Sequence, residues 1–204
     1  MLKKLPIFLE PSSTPLLNKT TKKRCSWVSN DNLMIEYHDK EWGTPVYDDK
    51  KLFEFLILEG AQAGLTWQTV LKKRENYRKA LDGFNPQKIA FYNKKDVARL
   101  MNNSGIIRNR LKILSAISNA QNFLKVQKEF GAFHKYIWQF VDGKPIKNNF
   151  KSLKEIPATT KESEAMSKDL KKRGFKFVGS TICYAFMQAT GIVDDHTTDC
   201  FKYK

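Results

Sequence analysis

Cysteine and histidine are scarce in this 204-residue chain, with three of each. Three scattered cysteines cannot build the disulfide scaffold of a small secreted domain, which points to a reducing cytoplasm. No run of 18 or more apolar residues occurs, so no membrane-spanning helix and no membrane partner are expected. The first residues lack the apolar core of a secretory signal peptide. Convincing strand alternation is missing, and nothing repeats at a fixed period.

Positive charge is abundant. Lys and Arg number 36 against 21 Asp and Glu, a formal net charge of +15. A surplus of that size suits an anionic partner, nucleic acid above all, although a solvating lysine coat would also produce it. Residues 1–23 hold Pro6, Pro11, Pro15 and a Ser12-Ser13-Thr14 run without apolar period. They read as a flexible basic extension that adds weak phosphate attraction, with a basic targeting peptide as the other reading. Residues 24–204 read as a single helical domain.

Helical signals dominate that domain. Asp48-Asp49-Lys50 opens a helix that runs through Leu52-Phe53-Glu54-Phe55-Leu56-Ile57-Leu58 and stops near Gly60. It is apolar on all sides, as a buried central helix is. Thr66 caps a second helix through Trp67, Val70, Leu71 and Tyr77. A third starts near Asn109, carries Leu111, Leu114, Ile117, Ala120 and Leu124, and ends at Gly131. Ser163 to Arg173 makes a basic amphipathic helix and Ser180 to Thr190 a mostly apolar one.

Three constellations carry chemistry. Gly174-Phe175-Lys176-Phe177-Val178-Gly179-Ser180-Thr181 lies between the last two helical patterns. A glycine turn that opens a helix leaves backbone N–H groups free for phosphate, and Lys171, Lys172, Arg173 and Lys176 add charge. Lys176, Gly179, Ser180 and Thr181 are the candidate DNA contacts. An ordinary helix cap followed by the next helix start is the alternative.

The second constellation is metal-like. Cys25 and His38 lie near the start of the domain, His196 and Cys200 near its end. Two thiolates and two imidazoles suit a closed tetrahedral zinc site that staples the ends together. Core histidines and free cysteines remain the alternative reading, while Cys183 and His134 read as packing.

The third is Glu59, which follows six apolar residues out of seven on the central helix. Its i+4 neighbour is Ala63, so no basic partner stands on the next turn. A carboxylate there is costly unless paired or functional. Trp67 follows closely, and Trp27, Tyr37 and Trp42 crowd the start of the domain. A carboxylate among aromatics receives a flat cation well; an aromatic core with Glu59 on a nearby backbone or lysine is the other possibility.

Together these residues resemble the 3-methyladenine DNA glycosylase I family of the helix-hairpin-helix superfamily. The resemblance runs over Arg24-Cys25-Ser26-Trp27-Val28, Tyr37-His38-Asp39-Lys40-Glu41-Trp42-Gly43, Leu58-Glu59-Gly60-Ala61-Gln62-Ala63-Gly64-Leu65-Thr66-Trp67, Gly105-Ile106-Ile107-Arg108-Asn109, the segment from Leu170 to Gly179, and Asp195-His196. It implies an all-α glycosylase fold with a zinc site joining the N- and C-terminal segments. It implies zinc on Cys25, His38, His196 and Cys200, base recognition by Glu59, aromatic walls from Tyr37 and Trp67 with Trp27 and Trp42 nearby, and a DNA-gripping hairpin over Gly174 to Thr181. Asp194, in Val193-Asp194-Asp195-His196, falls where the wider superfamily keeps a catalytic aspartate, a position this family commonly fills with asparagine. A catalytic role and a supporting role beside His196 both stay open.

The implied reaction is hydrolysis of the glycosidic bond of 3-methyladenine in double-stranded alkylated DNA, with free 3-methyladenine as product. A bacterial cytoplasmic monomer is expected. Methylation at N3 already activates the leaving base, so the demands are base flipping and binding rather than strong general-acid catalysis. Two rivals, a non-catalytic DNA-binding helical module and a zinc-stapled RNA-binding protein, account for the charge and the metal-like pattern but not for a carboxylate buried among aromatics.

Overall fold

The computed structural model describes residues 22–204; the proposed extension lies outside the described residues except for its last two. Among the described residues, helices account for most of the chain. They are α1 (Asn32–Lys40), α2 (Asp49–Gln62), α3 (Trp67–Ala80), α4 (Pro86–Ile89), α5 (Lys94–Met101), α6 (Arg110–Phe130), α7 (Phe133–Trp138), α8 (Lys161–Lys172) and α9 (Ser180–Ala189).

The apolar run of the sequence becomes the buried centre. α2 packs against α3, α6, α7 and α9, and every residue from Leu52 to Ala61 is buried. Asp48 caps it by accepting from Lys51 N at 2.7 Å. Asp49 does something different: its carboxylate accepts from the backbone N–H groups of Phe133 and His134 at 2.7 and 2.8 Å. It thus satisfies free donors at the start of α7, a helix without a side-chain cap of its own.

The other helix boundaries follow local chemistry. Thr66 caps α3, and Asn109 caps α6 by accepting from Lys112 N at 3.1 Å. Gly131 ends α6 in the left-handed conformation, φ 80°. α8 begins at Lys161 rather than Ser163, because Thr160 and Ser163 form a reciprocal capping box. The sequence reading missed α1, α4, α5 and α7, which are too short for a helical period to stand out.

One departure from all-helical structure is small. Ile146–Lys147 (β1) pairs in parallel with Val193–Asp194 (β2). Two residues per strand are too short to show a period, so sequence could not reveal them. The pairing fixes the segment that carries Asp194, Asp195 and His196 against the body of the domain. No helix among the described residues is long and apolar enough to cross a membrane.

Candidate active site

Glu54 and Glu59 both lie buried on α2, and their surroundings differ. Glu54 accepts from Arg74 Nε at 2.5 Å and from Arg78 Nη2 at 2.7 Å. Arg74 also forks onto both carboxylate oxygens of Glu41, at 2.7 and 2.8 Å. Glu59, 3 % exposed, has no such partner among the described residues. Burial alone pushes its carboxyl up to about 8.

That carboxyl lines a cavity of about 370 Å³ whose walls include Trp27, Tyr37, Trp42 and Trp67. Tyr37 comes from the last turn of α1 and Trp67 from the first residue of α3, with ring centroids 5.1 Å apart. Trp27 stands edge-on to Trp42 at 5.0 Å. Burial, followed by the charges of Glu59 and Glu41, raises the Tyr37 phenol well above its ordinary value. The indole N–H groups of Trp27 and Trp67 are buried without an acceptor. The cavity therefore offers aromatic faces, one unpartnered carboxyl and spare donors. Leu153, Ile156 and Gln188 also line it, and the sequence reading did not single out any of them.

The metal-like residues converge directly behind this wall. One ligand atom each from Cys25, His38 and Cys200 lies within 4.8 Å of the others, all three residues buried. His196 stands outside that mutual spacing, with its ring 5.1 Å from that of His38. Its Nδ1 is 2.6 Å from Asp194 Oδ1. An ionised carboxylate only accepts, so Nδ1 carries the proton and Nε2 keeps a lone pair. That Nε2 is buried with no partner, a deficit a metal ion would remove. His38 repeats the arrangement: Nδ1 is 2.8 Å from Asp39 Oδ1, and Nε2 is 3.4 Å from Cys200 Sγ. Two buried thiols and a carboxylate-oriented imidazole, with a second carboxylate-oriented imidazole beside them, could hold a metal ion. Without one, burial raises the Cys25 thiol to about 11.

Asp194 is not part of the cavity wall. Its carboxylate is committed to the His196 ring and, at 3.2 Å, to the His196 backbone N–H.

Lys176, Gly179, Ser180 and Thr181 occupy the turn between α8 and α9 and the first turn of α9. The turn is clamped from α6: Asn119 accepts from Lys176 N at 2.8 Å and donates to Lys176 O at 3.0 Å. The Lys176 amide is therefore not free, contrary to the expectation that the turn's N–H groups point outward. The start of α9 keeps that character, since it has no side-chain cap. Thr181 lies at the edge of a smaller opening shared with Glu59, Gln62 and Leu65, so this helix end adjoins the cavity mouth.

The family model described as methyladenine glycosylase matches residues 27–203. The chain belongs to the methyladenine glycosylase family. DNA-3-methyladenine glycosylase 1 of Escherichia coli strain K12 is 53% identical over 181 residues, covering 89% of this chain and 97% of that protein. A DNA-3-methyladenine glycosylase of Haemophilus influenzae is 52% identical, over 87% of this chain and 96% of its own. Among solved structures, a crystal structure of 3-methyladenine DNA glycosylase I matches with TM-score 0.88 and 54% identity, over 89% of this chain and all of that one. A Staphylococcus aureus member of this glycosylase family, solved to explain 3-methyladenine recognition, matches with TM-score 0.86 and 37% identity, over 89% of this chain and 96% of its own.

Proposed function

We propose that this methyladenine glycosylase removes 3-methyladenine from alkylated double-stranded DNA, the first step of base-excision repair. The observation that carries the reading is the unpartnered Glu59 carboxyl in an aromatic cavity. A buried acid without a cation is unfavourable, and a positively charged base supplies what is missing.

The base enters by flipping out of the duplex. Tyr37 and Trp67 stack on its charged ring, with Trp27 and Trp42 completing the walls, and Glu59 accepts from the adenine edge. Neutral adenine forfeits the cation–π attraction, about 1–2 kcal/mol in a desolvated site. Water adds to C1′ of the sugar as the C1′–N9 bond breaks. The bonding pair moves into the cationic base, which leaves as neutral 3-methyladenine, and the water proton passes to solvent.

The α8–turn–α9 unit serves as the helix-hairpin-helix, with Gly179, Ser180 and Thr181 offering N–H groups to phosphate and Lys176 adding charge through its side chain. Cys25, His38, His196 and Cys200 would hold zinc. Bound there, the ion would staple together the two ends of one domain spanning residues 24–204. Asp194 acts through His196 rather than on the sugar. The protein works as a cytoplasmic bacterial monomer.

Chromatography of methylated duplex DNA after incubation tests the reading. Free 3-methyladenine released by the wild type and lost in Glu59→Gln, with DNA binding retained, is the expected result. DNA binding without base release overturns it in favour of a non-catalytic module.

A further inference from the structure

Asp195 is fully buried, and its carboxylate accepts three hydrogen bonds. They come from Tyr184 Oη at 2.6 Å, Gln188 Nε2 at 2.7 Å and Asn148 Nδ2 at 2.7 Å. Gln188 stands on α9 and forms part of the same cavity wall as Glu59. Its backbone is tied down as well, since its carbonyl accepts from Gly43 N at 2.9 Å.

A glutamine amide has two unlike ends, a donor NH₂ and an acceptor oxygen. A carboxylate accepts and does not donate, so the NH₂ must face Asp195. The carbonyl oxygen is thereby held at the other end of the amide. A free surface glutamine turns to suit its ligand, but one bonded to a buried carboxylate cannot.

The geometry points to Gln188 as a specificity-determining acceptor, aimed by Asp195, that selects an N3-methylated purine with an exocyclic amine over one with a carbonyl oxygen at that ring position. This inference rests on the glycosylase reading and deepens it. The locked amide has a single sense. An amine N–H satisfies it, whereas a carbonyl oxygen would set two acceptors against each other and leave both unpaired. Positive charge on the methylated base strengthens the amine's hydrogen bond.

Asp195 is a positioning residue here, and the test reads a ratio that general loosening of the fold would not move. Tryptophan fluorescence gives the affinities of 3-methyladenine and 3-methylhypoxanthine for the full chain. In wild type, 3-methyladenine binds more tightly. Asp195→Asn frees the amide to turn and narrows the ratio by about tenfold. Gln188→Met removes the acceptor and narrows it similarly. Combining Asp195→Asn with Gln188→Glu reverses the pair: an amide at position 195 donates to a carboxylate at position 188, which still leaves an acceptor oxygen. That double variant restores the preference. A wild-type ratio in Gln188→Met overturns the inference even if Asp195→Asn fails to fold. A wild type that binds neither base overturns the glycosylase reading itself, and this inference with it.

Discussion

The Trp42 indole meets the His196 imidazole edge to face, with ring centroids 4.7 Å apart. Trp42 also stacks on His38 at 6.1 Å. One wall of the base cavity therefore leans on two of the four proposed zinc ligands. His38 and Tyr37 are consecutive on α1, so the metal cluster and the cavity share a helix turn as well.

Losing the metal should be felt in the cavity. Cys25→Ser is expected to lower Tm by roughly 10 °C or more, because a structural zinc site contributes directly to folding. It should also weaken 3-methyladenine binding without abolishing turnover per folded molecule. Calorimetry alongside zinc quantification checks this. One zinc per chain is expected in wild type, and a metal-free protein of full stability would refute the assignment.

Glu59 should make stability fall with pH. Its carboxyl is raised from 4.5 to about 8 in the folded chain. The folded state therefore binds the extra proton between those values, and stability present below pH 4.5 is lost as pH rises through about 8. Glu59→Gln removes that dependence. The variant should match wild type near pH 4.5 and become progressively more stable up to about pH 8. Denaturant unfolding across that range measures the difference, and parallel curves would contradict an unpartnered buried acid.

Asp194→Asn separates the two readings left open by the sequence. With its carboxylate on His196 Nδ1, the substitution should weaken zinc affinity about 10–100-fold. Base release by zinc-saturated protein should fall only mildly. A collapse of single-turnover release at full zinc occupancy would instead make Asp194 catalytic.

Arg74 is the reverse of Glu59, a buried charge with its partners in place. Arg74→Met leaves Glu54 to Arg78 and Glu41 to Lys51 and should cost about 1.5–3 kcal/mol in urea unfolding. Burial would raise the Glu41 carboxyl, but Arg74 and Lys51 outweigh it and hold it at about 2. Its contribution is present above pH 4.5 and lost as pH falls toward 2, so the variant should lack that part of the acid-unfolding limb.

DNA affinity should fall steeply with salt and depend little on sequence. Lys176→Ala should reduce the slope of log affinity against log salt by about one. Affinity unchanged from low to high salt would exclude the phosphate-gripping role.

The sequence by itself determined the buried central helix, because an apolar run that ignores period has one stable place. It determined the starts of α2, α3 and α6 and the end of α6 through Asp48, Thr66, Asn109 and Gly131, since caps act within one turn of the chain; α2 runs past Gly60, where the sequence stopped it, to Gln62. It marked Glu59, because a carboxyl in that run has no local partner. It could not separate Glu54, equally apolar in its neighbours, from Glu59. Only folding brings Arg74 to one and an aromatic cavity to the other. The same holds for Cys25 and Cys200, 175 positions apart in the chain yet joined in one cluster with His38. It holds for Asp195 too, whose three donors come from α9 and from the segment beside β1. Spacing along a chain predicts contacts within a helix, but charge pairing and cavity walls are made by elements that meet only when the core closes.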